Sequence, residues 1–117
     1  KFYNLNYFKT PTITKHASHS YHLYPLKIKF EKLKISKDVL LKKLRSKGIN
    51  LQVHYIPIYH HNLYKIKNRS RFLNTESFFN QVVSLPIYYS LTNTQVYFIT
   101  STILKIVFSN LKKKSKT

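Results

Sequence analysis

The histidines are the first candidates for chemistry, because the chain carries six of them. They fall into two groups, His16, His19 and His22 at a spacing of three residues, and then His54, His60 and His61. A protein metal site usually needs three or four converging nitrogen, oxygen or sulfur ligands. The chain has no cysteine and only three acidic residues to complete such a set. We therefore predict no metal site, and we expect His16 and His19 to be exposed loop residues.

Acid–base and nucleophilic catalysis have equally few candidate groups. The carboxylates are Glu31, Asp38 and Glu76, and each is expected at a surface or helix-capping position. Hydrolysis by paired carboxylates is therefore disfavoured. A single glycine excludes a glycine-rich phosphate loop, and no nucleophile elbow is present. A Ser–His–acid triad stays open, and no residue is predicted to be catalytic.

The charge is the most unusual property of the composition. Lys and Arg number 21 against three acidic residues, for a formal net charge of +18. Such a field attracts polyanions, nucleic acid above all, and aromatic residues among the lysines could stack on single-stranded bases. However, Arg45, Arg69 and Arg71 are the only arginines, whereas base readers and phosphate clamps favour arginine. We favour compositional drift under AT-rich codon usage, and expect nonspecific binding of nucleic acid only. A small basic nucleic-acid-binding module, with its lysines on one face, is the alternative function.

Length and hydropathy bound the fold. The chain has 117 residues, 43% of them hydrophobic, which suits one small domain with a modest core. It has no run of 18 or more apolar residues, so no membrane-spanning helix is predicted. Because the sequence begins at Lys1 and contains no methionine, we do not expect it to be a complete translation product, and the resemblance described below implies that residues 1–117 are a single partial domain. The lack of cysteine is consistent with a cytoplasmic location.

The best-defined element is a helix over residues 36–47. Ser36 is a suitable N-cap, Asp38 lies in the first turn, and Gly48 follows where a left-handed residue is needed. Alternating apolar residues predict strands over 21–30, where Pro25 marks an edge position or a bulge, and over 49–53.

The remaining elements follow from shorter patterns. Apolar spacing allows a short helix over residues 2–8, and residues 54–71 look like a loop. Asn74 is expected to cap a short helix that runs through Val83, and residues 84–89 to be extended. Thr92 and Gln95 have the spacing of a capping box, which predicts a helix over 93–110. Residues 112–117 form a basic tail. The order of elements indicates an α+β or α/β domain.

Three motifs resemble a known family. They are Ser20-Tyr21-His22-Leu23-Tyr24-Pro25, then Gly48-Ile49 with Val53-His54-Tyr55-Ile56-Pro57-Ile58-Tyr59, and then Glu76 with Ser84-Leu85-Pro86-Ile87-Tyr88 and Leu91-Thr92. In this order and at these distances they are similar to the C-terminal part of the DegT/DnrJ/EryC1/StrS aminotransferases. With Tyr59 at its end, the second motif resembles most the branch of the family that aminates UDP-4-keto-6-deoxy-N-acetylhexosamines in pseudaminic acid synthesis.

The resemblance implies a fold, an activity and partners. The fold would be the small α+β C-terminal domain of a fold-type-I transferase, with a short sheet packed against three to four helices. The full-length family is a homodimer that uses pyridoxal phosphate to move an amino group from glutamate to a keto sugar nucleotide. The domain that holds the cofactor lysine has no counterpart in this sequence. We therefore expect this chain to bind no cofactor and to be inactive alone, and any complementary N-terminal chain to restore activity.

The resemblance also supplies two candidate substrate-binding residues. His54 matches the histidine of the family's V-H-Y-x-P motif, which approaches the sugar nucleotide; a structural histidine at a strand end is the alternative. Tyr59 lies where other branches often have a histidine. His60, His61 and Asn62 depart from the family's L-Q-P, which weakens the case for substrate contacts by this loop. His22 and Tyr24 are expected to be strand and core residues.

Overall fold

The computed structural model describes residues 1–64, 66 and 68–111. The predicted basic tail, 112–117, therefore lies outside the described residues. The described part is an α+β domain in which three helices and several short 3-10 turns surround one antiparallel sheet. This agrees with the predicted fold class.

The sheet has three strands in the order β1-β2-β3. They are β1 (Phe8–Lys9), β2 (Tyr24–Ile28) and β3 (Val82–Leu85), and both pairings are antiparallel. β2 pairs with β3 from Tyr24↔Leu85 to Lys27↔Val82. β2 lies within the predicted strand over 21–30, but it is the central strand of the sheet.

Pro25 is tolerated in this central strand for a local reason. Both backbone groups of its partner Ser84 are bonded to Gln52. The Ser84 N–H donates to the Gln52 carbonyl at 2.8 Å, and the Ser84 carbonyl accepts from the Gln52 N–H at 3.1 Å. The Pro25–Ser84 pair thus needs no ladder bond, and β1 reaches only as far as Lys27. The N–H that proline lacks would have had no strand partner.

The two faces of the sheet differ in what they contact. Side chains alternate along a strand, and paired residues of antiparallel strands point to the same face. One face carries Leu26, Ile28 and Val83, which are fully buried in the main hydrophobic core. The opposite face carries Lys27, Val82 and Ser84.

The helix α1 (Lys37–Arg45) confirms the predicted element. The Ser36 hydroxyl accepts from the N–H of Val39 at 3.3 Å. At the other end Gly48 adopts a φ of 77°, its N–H bonds to Arg45, and the N–H of Ile49 bonds to Leu44 at 3.0 Å. This pair of bonds is a Schellman motif, which satisfies the last carbonyl groups of the helix.

The helix α3 (Asn93–Ser109) also confirms its prediction. The Thr92 hydroxyl accepts from the N–H of Gln95 at 3.2 Å, and the Gln95 side chain accepts from the N–H of Thr92 at 2.9 Å. Ile103 and Val107 are fully buried and pack with Leu40 and Leu44 of α1 in the core. The two helices with the best local signals therefore enclose one side of the sheet.

The third helix, α2 (Leu73–Gln81), differs from the expectation at both ends. The chain enters it through a 3-10 turn at Ser70–Phe72, so Phe72, and not Asn74, is the N-cap residue. Val82 and Val83 do not continue the helix but begin β3. Pairing with β2 buries both valines, and this tertiary contact outweighs the helical pattern.

Two further predictions were wrong or only partly right. Residues 2–8 form turns that lead into β1, because Phe2 and Phe8 both turn into the core with their rings 4.8 Å apart. The expected strand over 49–53 is reduced to one bridge between Gln52 and Ser84. The described residues of the predicted loop over 54–71 form only short elements, among them the 3-10 turns Ile58–His60 and Asn62–Tyr64.

Candidate functional site

His54 lies beside the sheet face that Ser84 shares with Lys27 and Val82. It follows the Gln52 bridge by two residues, and its Nδ1 atom is 2.9 Å from the Ser84 hydroxyl oxygen. Ser84 is only 4% exposed, whereas His54 is half-buried. A buried strand residue thus fixes one nitrogen of a partly accessible imidazole.

A cavity of about 280 Å³ opens at this place. The polar residues that line it include His22, Asn50, Gln52, His54, Ser84 and Tyr88. These groups offer hydrogen-bond donors and acceptors, and the part of the lining that the structure describes includes no lysine, arginine or acidic residue. Such a lining suits a neutral ligand that is rich in hydroxyl or carbonyl groups. His22 belongs to this lining and is exposed, contrary to its expected place in the strand and core.

Tyr59 lies elsewhere, in a cluster that joins the loop to α2. It is 7% exposed, its ring stacks on Phe72 at 4.2 Å, and its hydroxyl donates to Glu76 Oε1 over 2.8 Å. The Nε2 atom of His60 is 2.6 Å from the same oxygen, and the His60 ring packs against the edge of Phe79. Glu76, expected at a surface or capping position, is therefore the shared acceptor of two loop residues.

The pKa values in this cluster follow from those contacts. Hydrogen bonds from His60 first and from Tyr59 second lower the pKa of Glu76 below its ordinary value. Burial, and then the hydrogen bond to Glu76, raise the pKa of Tyr59 above its ordinary value. At neutral pH the carboxylate is ionised and the phenol is protonated, so both hydrogen bonds keep their charge-assisted form.

The structure therefore separates the two candidate substrate-binding residues. His54 lines the polar cavity, whereas Tyr59 is not part of that lining and has its hydroxyl bound to Glu76. Ser84 and Glu76 both fall in the third motif, but the sequence did not predict that they bond to His54 and Tyr59. Ser84 carried no signal of its own beyond its place before Leu85 and Pro86 in the third motif.

Lys37 is a partly buried lysine that lies between α1 and α2. Its Nζ donates to the carbonyl oxygen of Phe79 and lies 4.6 Å from the centre of the Phe79 ring. Burial lowers the pKa of Lys37, and the adjacent Asp38 opposes that shift. Its ammonium is therefore engaged in linking the two helices.

Two general site types are absent from the described residues. No three His or acidic side chains there approach one another closely enough to hold a metal ion. Within residues 1–64, 66 and 68–111, the helices lack the length and hydropathy required to cross a bilayer.

The sequence pattern of the DegT/DnrJ/EryC1/StrS aminotransferase family matches residues 1–104. The chain belongs to this family. Both His54 and Ser84, with the cavity that they line, fall within the matched residues.

Curated relatives extend well beyond this chain. The uncharacterized protein MJ1066 of Methanocaldococcus jannaschii is 36% identical over 113 residues, which cover 94% of this chain and 29% of that protein. The UDP-4-amino-4,6-dideoxy-N-acetyl-beta-L-altrosamine transaminase of Helicobacter pylori is 36% identical over 87 residues, 74% of this chain and 23% of the enzyme. The chain thus spans less than a third of the length of these relatives.

Solved structures show the same relationship. The aminotransferase PseC of Helicobacter pylori, described as involved in pseudoaminic acid biosynthesis, superposes with a TM-score of 0.79 at 32% identity, covering 92% of this chain and 29% of PseC. The putative sugar aminotransferase Spr1654 of Streptococcus pneumoniae has a TM-score of 0.79 at 21% identity, over 92% of this chain and 27% of Spr1654. The second likeness concerns the fold alone.

Proposed function

We propose that this chain is the small C-terminal domain of a sugar-nucleotide aminotransferase of the DegT/DnrJ/EryC1/StrS family. The whole enzyme would use pyridoxal phosphate to transfer an amino group from glutamate to a 4-keto-6-deoxy sugar nucleotide. The family match over residues 1–104 carries this proposal. Relatives named UDP-4-amino-4,6-dideoxy-N-acetyl-beta-L-altrosamine transaminase support the choice of a UDP-linked amino sugar.

In this proposal the chain supplies substrate contacts and another part of the protein supplies the cofactor site. Lys37, the lysine whose pKa burial lowers, already donates to Phe79 and is not available to bind a cofactor. The lysine that forms the cofactor imine would come from an N-terminal domain, either in the same polypeptide or in a separate chain. The chain alone would bind no cofactor and would not transaminate.

His54 is the proposed substrate-orienting residue of this domain. It lines the polar cavity, and Ser84 occupies its Nδ1 atom, so that Nε2 is the nitrogen left for a ligand. Tyr59 donates its hydroxyl proton to Glu76, so donation to the substrate would require this bond to break. We therefore propose that Tyr59 serves the substrate site mainly by fixing the loop that follows His54.

Complementation tests this function. The chain is co-expressed with the N-terminal portion of the Helicobacter pylori transaminase, which ends where the similarity to this chain begins. We expect a purified complex with bound pyridoxal phosphate, seen by its absorbance, and amino transfer from glutamate to a UDP-4-keto sugar. The chain alone is the control and should give neither signal.

A matched variant makes this experiment specific to the candidate site. His54→Gln should preserve cofactor absorbance in the complex and reduce kcat/KM for the keto sugar at least tenfold, because an orienting hydrogen bond is lost. A complex that forms but transfers no amino group, with or without His54, would contradict the proposed function.

A further inference from the structure

We infer that Ser84 is a positioning residue that holds His54 in a single tautomer, with the ring proton on Nε2, so that this N–H donates to an oxygen atom on the sugar of the ligand. The inference rests on the proposed function, since it concerns the same cavity. It adds a role for Ser84 and a ligand chemistry for the cavity, which the motif match does not provide.

The first observation concerns the contacts that hold Ser84 in place. It lies in β3, it is 4% exposed, and its backbone N–H and carbonyl both bond to Gln52. Its register opposite Pro25 on β2 directs its side chain away from the face that carries Leu26 and Val83. The hydroxyl thus has a fixed place on the sheet face next to the cavity.

The second observation concerns the hydroxyl proton. The Ser84 oxygen lies 2.9 Å from Nδ1 of His54, and this is the one side-chain hydrogen bond found for that hydroxyl among the described residues. A buried hydroxyl whose proton has no acceptor is costly. The favourable arrangement is therefore donation from Ser84 to an unprotonated Nδ1.

The state of the imidazole follows from this arrangement. In a neutral imidazole one nitrogen accepts and the other carries the proton, so an accepting Nδ1 places the proton on Nε2. His54 then presents a donor to the cavity that it lines.

The lining of the cavity indicates what this donor meets. Despite a net charge of +18, no lysine or arginine is found among the described residues that line the cavity. A diphosphate would favour cationic partners, whereas the hydroxyl and carbonyl oxygens of a sugar suit neutral donors such as His54, Asn50 and Gln52. We therefore assign the cavity to the sugar part of the nucleotide.

The tautomer can be measured on the chain itself. Long-range 1H–15N correlations of a histidine-labelled sample, recorded above the ordinary histidine pKa of about 6.5, report which ring nitrogen carries the proton. Wild type and Ser84→Thr, which keeps a hydroxyl, should show His54 with the proton on Nε2. Ser84→Ala should show a mixture of both tautomers.

Two controls separate positioning from general damage. Ser101→Ala removes a hydroxyl that bonds within α3, and it should leave the His54 tautomer unchanged. If threonine disturbs the buried strand, Ser84→Cys gives a second measurement, because its weak thiol donor should produce an intermediate tautomer ratio. A His54 tautomer that is the same in Ser84→Ala as in wild type would overturn the inference.

Ligand titration tests the rest of the inference with UDP-N-acetylglucosamine and UDP as probes. The His54 signals of wild type should shift with UDP-N-acetylglucosamine and not with UDP, and Ser84→Ala should weaken the sugar-nucleotide affinity about threefold to tenfold. Equal shifts with both probes would overturn the assignment to the sugar. The absence of any response from wild type would count against the proposed function, whereas the tautomer measurement would still test Ser84.

Discussion

The hydroxyl of Tyr59 donates to Oε1 of Glu76 over 2.8 Å, and this bond ties the loop after His54 to the helix α2. His60 adds a second bond to the same oxygen at 2.6 Å. Because two consecutive loop residues depend on one carboxylate, the position of the loop should respond to a single side chain.

Removing the carboxylate should loosen the loop selectively. We expect Glu76→Ala to speed backbone amide exchange in residues 58–64, with a smaller effect for Glu76→Gln, whose amide oxygen can still accept. Tyr59→Phe is the matched variant, since it keeps the stacking on Phe72 and loses only the hydroxyl. Hydrogen exchange followed by mass spectrometry measures the effect, with α1 as the internal reference. If amide exchange were accelerated equally in α1 and in the loop, the role of Glu76 in anchoring the loop would be contradicted.

Stability should depend on pH through the same residue. The pKa of Glu76 is lowered in the folded chain, so its ionised form stabilises the fold above the unfolded value of about 4.3. This contribution should be lost as the pH falls through the lower folded pKa. Urea unfolding of wild type and Glu76→Gln should therefore differ at pH 7 and converge at acidic pH. A difference that persists unchanged at acidic pH would show that charge is not its cause.

Gly48 should be needed for its backbone conformation and not for its lack of bulk. Its φ is 77°, and a Cβ at this position would meet no atom within 4 Å. Gly48→Ala should lower the free energy of unfolding by about 1 kcal/mol, the cost of a left-handed conformation for an L-residue. Gly48→Asn should cost less, because asparagine tolerates this region better. Urea unfolding measures both, and an alanine variant as stable as wild type would refute the explanation.

Polyanion binding should follow total charge and not a particular surface. We expect single-stranded DNA to bind weakly and to dissociate steeply as salt is added. Charge reversal at Lys42 and Lys43 on α1 should weaken binding as much as reversal at Lys32 and Lys34, because all four side chains are exposed. Fluorescence anisotropy at several salt concentrations measures this. A much larger effect of one pair would favour the alternative of a dedicated nucleic-acid surface.

Several large apolar residues of the described chain are exposed. Tyr89, Tyr97 and Phe98, in and before α3, are more than half exposed. Such a surface is consistent with packing against a further domain of a longer protein. This interpretation of the surface rests on the proposed function, in which most of the enzyme lies outside residues 1–117.

The sequence alone determined the elements whose ends are set by neighbouring residues. Ser36 and Gly48 predicted α1, and Thr92 with Gln95 predicted α3, because caps and turns depend on contacts within a few positions. The three motifs also identified the family and selected His54 before any geometry was known.

The tertiary structure decided everything that depended on strand pairing. β3 begins at Val82 because it pairs with β2, more than 50 positions earlier, and the predicted strand over 49–53 keeps only its bridge at Gln52. The bond between His54 and Ser84 spans 30 positions and depends on which face of β3 the serine occupies. A shift of one residue in the β2–β3 register would turn that hydroxyl into the core. Local patterns do not encode such a register, so only the folded chain could reveal the partner of His54.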